Sequence, residues 1–281
     1  MSDEPRIYAP TRMKNWVRCP LYASLLKQVE PVKDWTPNLL LGRAMDAGLT
    51  FYYVQTANLG SGPSYPGDRE AEGLRLALET LREGYEDNEL WPIEGLEKIV
   101  QRAYAAALGE AGVLSVGPMI AVDESLGVGR PDIIQKSRDG SHLIVTDRKF
   151  TLKLEQHYLA KTLAEYEVDD QFWHYAWEAE QRWGIPVKWL RVHLLVGTPK
   201  ARSILHPWQV KDGTIAFWLK GAEQNWKDMQ EEEEGKREIV PKFANCMGKY
   251  GRCPFHGYCH EPQQRELFYR PVEPRTLPSD S

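Results

Sequence analysis

No run of apolar residues in this chain approaches the roughly 20 that a membrane helix needs. Its first residues, Met1-Ser2-Asp3-Glu4-Pro5-Arg6, also lack the apolar core of a secretory signal. Both absences predict a cytosolic (cytoplasmic) protein with no membrane partner. There is no internal repeat, no Walker-type phosphate loop ending in lysine, and no serine or cysteine nucleophile set beside a histidine and an acid. A built-in ATPase or helicase motor is thereby excluded. Cysteine is scarce, with four in 281 residues, and four cytosolic thiols are more readily metal ligands than disulfides. Positive charge is short as well. The net charge is −5, and the run Glu231–Glu234 carries four of those negative charges. That balance argues against a broadly basic nucleic-acid surface, but a local basic groove remains compatible with it.

The residues that are present describe a globular α/β chain, 42% apolar and 27% charged, with ten tryptophans. The first fifty residues read as helical, and Thr36-Pro37 supplies an N-cap with proline at the first helical position. The Gly/Pro/Ser-rich stretch 57–68 is a loop, followed by amphipathic helices over about 69–86 and 93–112. Strands are expected at 119–125 and 128–136, joined by a short reversal at Leu126-Gly127, and at 142–150, 187–196 and 203–210. Residues 169–183 and a segment from Asp212-Gly213 to about Gln230 read as helices. The tail after Glu261 is Pro-rich and is expected to be poorly ordered. The whole makes one domain over 1–281: a mixed central sheet flanked by helices, a helical insertion at 54–112, and a cysteine-bearing segment at 241–262.

The chemistry concentrates between Asp132 and Lys149. Fourteen residues separate Pro131-Asp132 from Asp147-Arg148-Lys149. In a strand, Leu143, Val145, Asp147 and Lys149 share one face, so apolar anchors lead into an acid and an amine. Two carboxylates on neighbouring strands can hold a hard divalent cation such as Mg²⁺ or Mn²⁺. The Arg148 carbonyl is a natural third ligand, and Lys149 can position or deprotonate a water. Glu124, on the strand before Asp132, is a further candidate ligand or an exposed hairpin residue. Arg130, Arg148, Lys153 and Lys161 are candidate phosphate contacts. Trp173, Trp177 and Trp183 could stack on bases or belong to the core.

Gly129-Arg130-Pro131-Asp132-Ile133-Ile134 and Val145-Thr146-Asp147-Arg148-Lys149 resemble two motifs of the PD-(D/E)XK nuclease superfamily, in its RecB-like exonuclease branch. Gln171-Phe172-Trp173-His174-Tyr175 resembles the branch's glutamine–tyrosine helix, with Gln171 and Tyr175 one turn apart. The resemblance covers about residues 13–260. It implies a restriction-endonuclease-like core and a metal-dependent DNA exonuclease leaving 5′-phosphate and 3′-hydroxyl ends. Asp132, Asp147, Lys149, Gln171 and Tyr175 would then be the active residues. Gln171 would lie near the lysine or a phosphate, and Tyr175 would contact the DNA strand. One element departs from the pattern: the branch usually has Gly-x3-His on an early helix, whereas this chain has Gly42-Arg43-Ala44-Met45-Asp46. Asp46 could bind metal through oxygen, favouring Mg²⁺ over metals that prefer imidazole, or simply pair with Arg43. The implied substrate is single-stranded DNA or DNA ends in a bacterial or phage-infected cell, with a helicase, recombinase or CRISPR-type integrase as partner. A non-catalytic DNA-end-binding subunit and a structure-specific endonuclease are the rival readings.

The cysteines follow Cys19 … Cys246-x6-Cys253-x5-Cys259. Four gathered thiolates bind Zn²⁺ or an iron–sulfur cluster, and spacing alone does not choose. The one-plus-three layout resembles the [4Fe–4S] clasp of AddB-type and CRISPR-associated RecB-like exonucleases. Tyr250-Gly251-Arg252-Cys253-Pro254 further resembles bacteriophage members of that group. The six-residue gap is wider than in many of them and leaves zinc open, with His256 or His260 as substitute ligands. Plain buried thiols are the third reading. Joining residue 19 to the C-terminal region would remove chain entropy from the unfolded state. Cys19→Ala is therefore expected to lower the thermal midpoint of anaerobically purified protein and to remove any absorbance in the visible blue. A colourless, metal-free wild type of full stability would contradict the clasp.

Overall fold

The computed structural model describes residues 7–31, 37–57, 66–85, 91–108, 117–198, 200–239, 242, 247–248, 251–253, 255, 259 and 269–271. The chain divides into two compact units, Met1–Trp35 with Lys220–Ser281, and Thr36–Leu219. The unit that joins the chain ends begins with helices α1 (Pro10–Arg18) and α2 (Pro20–Gln28) and strand β1 (Val29–Pro31). The other unit opens with three helices, α3 (Pro37–Ala57), α4 (Pro66–Glu83) and α5 (Ile93–Leu108). Then come β2 (Met119–Val122), β3 (Ile133–Lys136), β4 (Leu143–Lys153), α6 (Gln156–Glu167), α7 (Asp170–Trp183), β5 (Val187–Thr198) and β6 (Arg202–Gln209). Helix α8 (Thr214–Glu233) is divided between the two units. The short strands β7 (Met247–Gly248), β8 (Gly251–Arg252) and β9 (Tyr269–Pro271) complete the described elements.

The larger unit is built on a five-stranded sheet in the order β2-β3-β4-β5-β6. Its β4–β5 pair is parallel and the other pairs are antiparallel. A parallel pair requires a crossover, which α6 and α7 supply. This is the mixed α/β architecture expected from the sequence. Its core gathers Ile134, Leu143, Val145, Val192 and Leu194 from the sheet with Phe172, Ala176 and Ala179 from α7. Each fully buried large apolar side chain contributes about 1.5–3 kcal/mol. Helix α7 starts where Asp169 accepts the Gln171 N–H at 3.1 Å and stops at Gly184, whose φ of 64° lies in the left-handed region. Trp173, Trp177 and Trp183 pack partly buried against this core, which answers the stacking alternative in favour of packing. Helices α4 and α5, within the expected 54–112 insertion, pack on α3. At the α3–α4 contact a Cβ on Gly48 would lie 2.5 Å from the Gly73 carbonyl oxygen.

Two expectations are corrected and one helix is added. The hairpin at Leu126-Gly127 is instead a ten-residue connection, because β2 ends at Val122 and β3 begins only at Ile133. Helix α6 went unread. Its stripe Leu159, Leu163, Tyr166 has helical spacing, but it is short and only partly buried. Within the C-terminal tail Tyr269–Pro271 pairs antiparallel with Val29–Pro31, and the rest of the tail after Glu261 lies outside the described residues.

Candidate active site

Strand β4 is longer than its neighbour β3. The last paired residues are Ile133 and Thr146, so from Asp147 onward the β3 side of β4 has no backbone partner. Asp132, the residue before β3, fills the gap: its Oδ2 accepts the Arg148 N–H. An unsatisfied buried amide costs about 1–3 kcal/mol, so this carboxylate is tied to the fold as well as available for chemistry. In a strand, the N–H and C=O of one residue point to the same side. The Arg148 carbonyl therefore faces the same opening.

Beyond the end of β3 lies a cleft of about 680 Å³. Its lining includes Asp46, Asp132, Asp147, Arg148, Lys149, Gln171 and Tyr175. The three strand groups and the helix pair read from the sequence are thus brought together. Lys149 Nζ lies 2.5 Å from Asp147 Oδ2 and donates to Gln171 Oε1 at 2.9 Å. Gln171 Nε2 donates in turn to the Tyr175 hydroxyl at 2.6 Å. The Gln171 amide is oriented by these two partners together, as the one-turn spacing on α7 requires.

Alternation along β4 sends Arg148 to the opposite face, towards α3. Its guanidinium donates to Asp46 Oδ1 at 2.6 Å, Thr50 Oγ1 at 2.7 Å and Asp132 Oδ1 at 3.2 Å. It also lies 5.8 Å from the Tyr53 ring centroid. The Arg148 side chain is only 4% exposed, so the expectation of a surface phosphate contact is corrected. It is an internal counter-ion. Asp46, half exposed, pairs with Arg148 and not with Arg43.

Burial pushes the Asp147 carboxyl up to about 7; Lys149 opposes this and the charge of Asp132 adds to it. Burial would lower Lys149, yet Asp147 and the other acids outweigh it and hold the ammonium above its usual value. Lys149 so held is placed to orient a water or to stabilise negative charge. Asp46 is raised by partial burial, with Arg148 opposing. Burial also raises the Tyr175 phenol.

Glu124 does not reach the cleft. It pairs with Arg182 on the surface, and Asp123 lines the cleft in its place. The backbone turns at Asp123, whose φ is 50°, so strand alternation stops one residue before Glu124. Asp123 is bound by Arg130 through Oδ2 at 2.5 Å and through its carbonyl at 3.0 Å. Arg130 thus lines the cleft, exposed but partnered. Lys153 faces Glu155 at 3.7 Å, and neither Lys153 nor Lys161 lines the cleft. Tyr175 lines it, but the residue is only 5% exposed.

Among the described residues, no three His, Cys, Asp or Glu side chains are grouped to hold an ion. The acids are turned instead onto Arg148 and Lys149. The donor chemistry nevertheless suits a hard divalent cation. Asp132 and Asp147 offer carboxylate oxygens, and Asp147 Oδ2 is buried without an aligned hydrogen bond. In the other unit, Cys19, Cys253 and Cys259 are not disulfide-bonded, and Cys246, His256 and His260 lie outside the described residues. The Lys242 N–H approaches Cys19 Sγ at 3.4 Å, and Cys253 packs with Leu21, Tyr22, Leu25 and Phe255. Described residues of α1 and α2 therefore meet Lys242, Cys253 and Phe255 within this unit.

No family model matches the chain, and no curated protein matches it. A crystal structure of a candidate exonuclease from Eubacterium rectale is similar over 95% of this chain and 91% of that one, at 12% identity and a TM-score of 0.49. Nothing about activity passes to this chain at that likeness. Among the described residues, no helix is long and apolar enough to cross a membrane.

The Asp46–Arg148 pair yields a direct test. Removing one partner of a buried cation is costly, with a discount here because Asp46 is half exposed. Asp46→Ala is expected to lower unfolding stability by about 1–2 kcal/mol in denaturant titrations with chelator. Glu124→Ala, which removes a surface partner, is expected to stay within about 0.5 kcal/mol. Equal effects would show that Asp46 is not the counter-ion of Arg148.

Proposed function

We propose that this protein is a metal-dependent deoxyribonuclease that hydrolyses phosphodiester bonds, acting as an exonuclease on single-stranded DNA or DNA ends. The observation that carries this reading is the convergence in one cleft of Asp132 from ahead of β3, Asp147 and Lys149 from β4, and Gln171 of α7, bonded to the lysine. Asp132, Asp147 and the Arg148 carbonyl are the groups that would hold Mg²⁺ or Mn²⁺. The bound cation supplies Lewis-acid polarisation of the phosphate and a more acidic water. Lys149, set beside Asp147 and aimed by Gln171, orients the attacking water and stabilises charge building on phosphate oxygen. Tyr175 keeps Gln171 in place, and Arg130 and Arg43 sit on the cleft lining where a phosphodiester strand would enter. The four cysteines are proposed to hold a [4Fe–4S] cluster, with Zn²⁺ as the alternative, in a structural role. A helicase, recombinase or CRISPR-type integrase is the proposed partner, and of these a helicase would supply a motor.

A second reading is a non-catalytic DNA-end-binding subunit. It is favoured by Arg148 occupying both Asp46 and Asp132 in this arrangement. Digestion of 5′- and 3′-labelled single-stranded DNA with Mn²⁺ separates the two readings and gives polarity, and circular single strands test for endonuclease action. Asp132→Asn keeps an acceptor for the Arg148 amide, so the fold is expected to survive. Asp132→Asn and Lys149→Ala are each expected to reduce cleavage by at least about a hundredfold. Full activity in either variant would reject the site.

The raised Asp147 carboxyl sets a pH dependence. Its folded value of about 7 lies above its ordinary range, so the group is largely protonated below that pH and must lose a proton to bind a cation. Mn²⁺ affinity is expected to rise between pH 6 and 8. Calorimetry in two buffers should find nearly one proton released per ion at the lower pH and almost none at the higher. A flat profile would remove Asp147 from the ligand set.

A further inference from the structure

We propose that Glu178 is a positioning residue for this site, clamping the loop that delivers Asp132 onto the helix that holds Lys149. The inference rests on the reading of Asp132 as a metal ligand. Glu178 is buried on α7, one turn beyond Tyr175. Its Oε1 accepts the Val128 N–H at 2.9 Å and its Oε2 accepts the Gly129 N–H, also at 2.9 Å. His174 Nε2 stands 3.4 Å from Oε1. Both carboxylate oxygens are thus spent on the backbone three and four residues before Asp132.

The loop sequence is shaped for that contact. A Cβ on Gly129 would lie 2.2 Å from Glu178 Oε2 and 2.9 Å from the Tyr175 ring, and a Cβ on Gly127 would lie 2.7 Å from Glu178 Oε1. Glycine lets the backbone approach the carboxylate closely enough to donate to it. One helical turn on, Arg182 donates to the Ser125 carbonyl at 3.1 Å and pairs with Glu124. Residues 171, 175, 178 and 182 recur at helical spacing along one face of α7. At one end of that face Gln171 sets the ammonium of Lys149, and further along Glu178 and Arg182 hold the loop that ends in Asp132. One rigid element therefore references both groups.

Other bonds hold the two ends of the loop, Arg130 to Asp123 and Arg148 to Asp132, while Glu178 takes the backbone between them. The loop's internal backbone bonds are Leu126 N–H to the Gly129 carbonyl and Asp123 N–H to the Asp132 carbonyl, each at 2.9 Å. A misplacement of about 1 Å at a reacting group can cost about a hundredfold in rate. Glu178→Gln preserves size but turns an NH₂ donor toward one of the two backbone donors. In this variant kcat on labelled single-stranded DNA with Mn²⁺ is expected to fall about 10- to 100-fold, with KM within about twofold. Calorimetric Mn²⁺ affinity is expected to weaken, and amide exchange at Val128 and Gly129 to quicken. Gly127→Ala, an exposed change that crowds the same carboxylate, is expected to show the same signature if Glu178→Gln does not fold. Unchanged exchange would overturn the clamp. Faster exchange, or a lower thermal midpoint, with kcat and Mn²⁺ affinity unchanged would overturn the positioning role. A wild type that cleaves nothing would defeat the nuclease reading instead, and exchange with Mn²⁺ affinity would still decide the role of Glu178.

Discussion

The late start of β3, at Ile133, is the constraint from which the site follows. Backbone amides buried along a strand must be paired, and β4 runs past Ile133 with one side open. Asp132 meets that demand with its side chain, and in doing so is set beside Asp147. The same missing neighbour opens the cleft to side chains from both faces of β4. Asp147 and Lys149 point toward α7 and Arg148 toward α3, yet all three border one cavity. A full-length β3 would have satisfied the amides and closed the site.

Electrostatics then decides how the groups rest. Charges in a low-dielectric setting need compensation, and the cleft supplies it in two separate pairs, Asp147 with Lys149 and Asp46 with Arg148. Asp132 serves both, through the Arg148 backbone and guanidinium and through its charge on Asp147. The carboxyl of Asp147 is the least comfortable member. It is buried, and that burial raises it well above its ordinary value although Lys149 stands against its Oδ2. A divalent cation would relieve that discomfort, which is why the nuclease reading fits the energetics as well as the layout.

Much of this was legible in the sequence wherever a local rule governed. Strand alternation places Asp147 with Lys149, and the one-turn spacing of a helix places Gln171 with Tyr175. These rules hold irrespective of tertiary surroundings. They fail where the backbone leaves its regular path. Carrying the strand period through to Glu124 chose the wrong acid, because the chain bends at Asp123 into a left-handed conformation. The fate of Arg148 depended on what α3 presents opposite it, and Glu178 on two amides roughly fifty residues away. No pattern within β4 or α7 encodes either. The fold class was readable because apolar runs and turns mark strands. The length of β3 was not, because Arg130-Pro131 adjoins apolar residues that suit a strand while the proline offers no N–H to a ladder.

Asp46 supplies negative charge to the buried guanidinium of Arg148. With an aspartate on α3, the guanidinium is shared between Asp46, Thr50 and Asp132, and its bond to Asp132 is the longest of the three at 3.2 Å. Asp132 is then held at both oxygens by one residue, Oδ2 by the Arg148 N–H and Oδ1 by the longer guanidinium bond. The aspartate at 46 and the arginine at 148 are therefore one feature. Together they keep Asp132 anchored at the strand end and its charge within reach of Asp147.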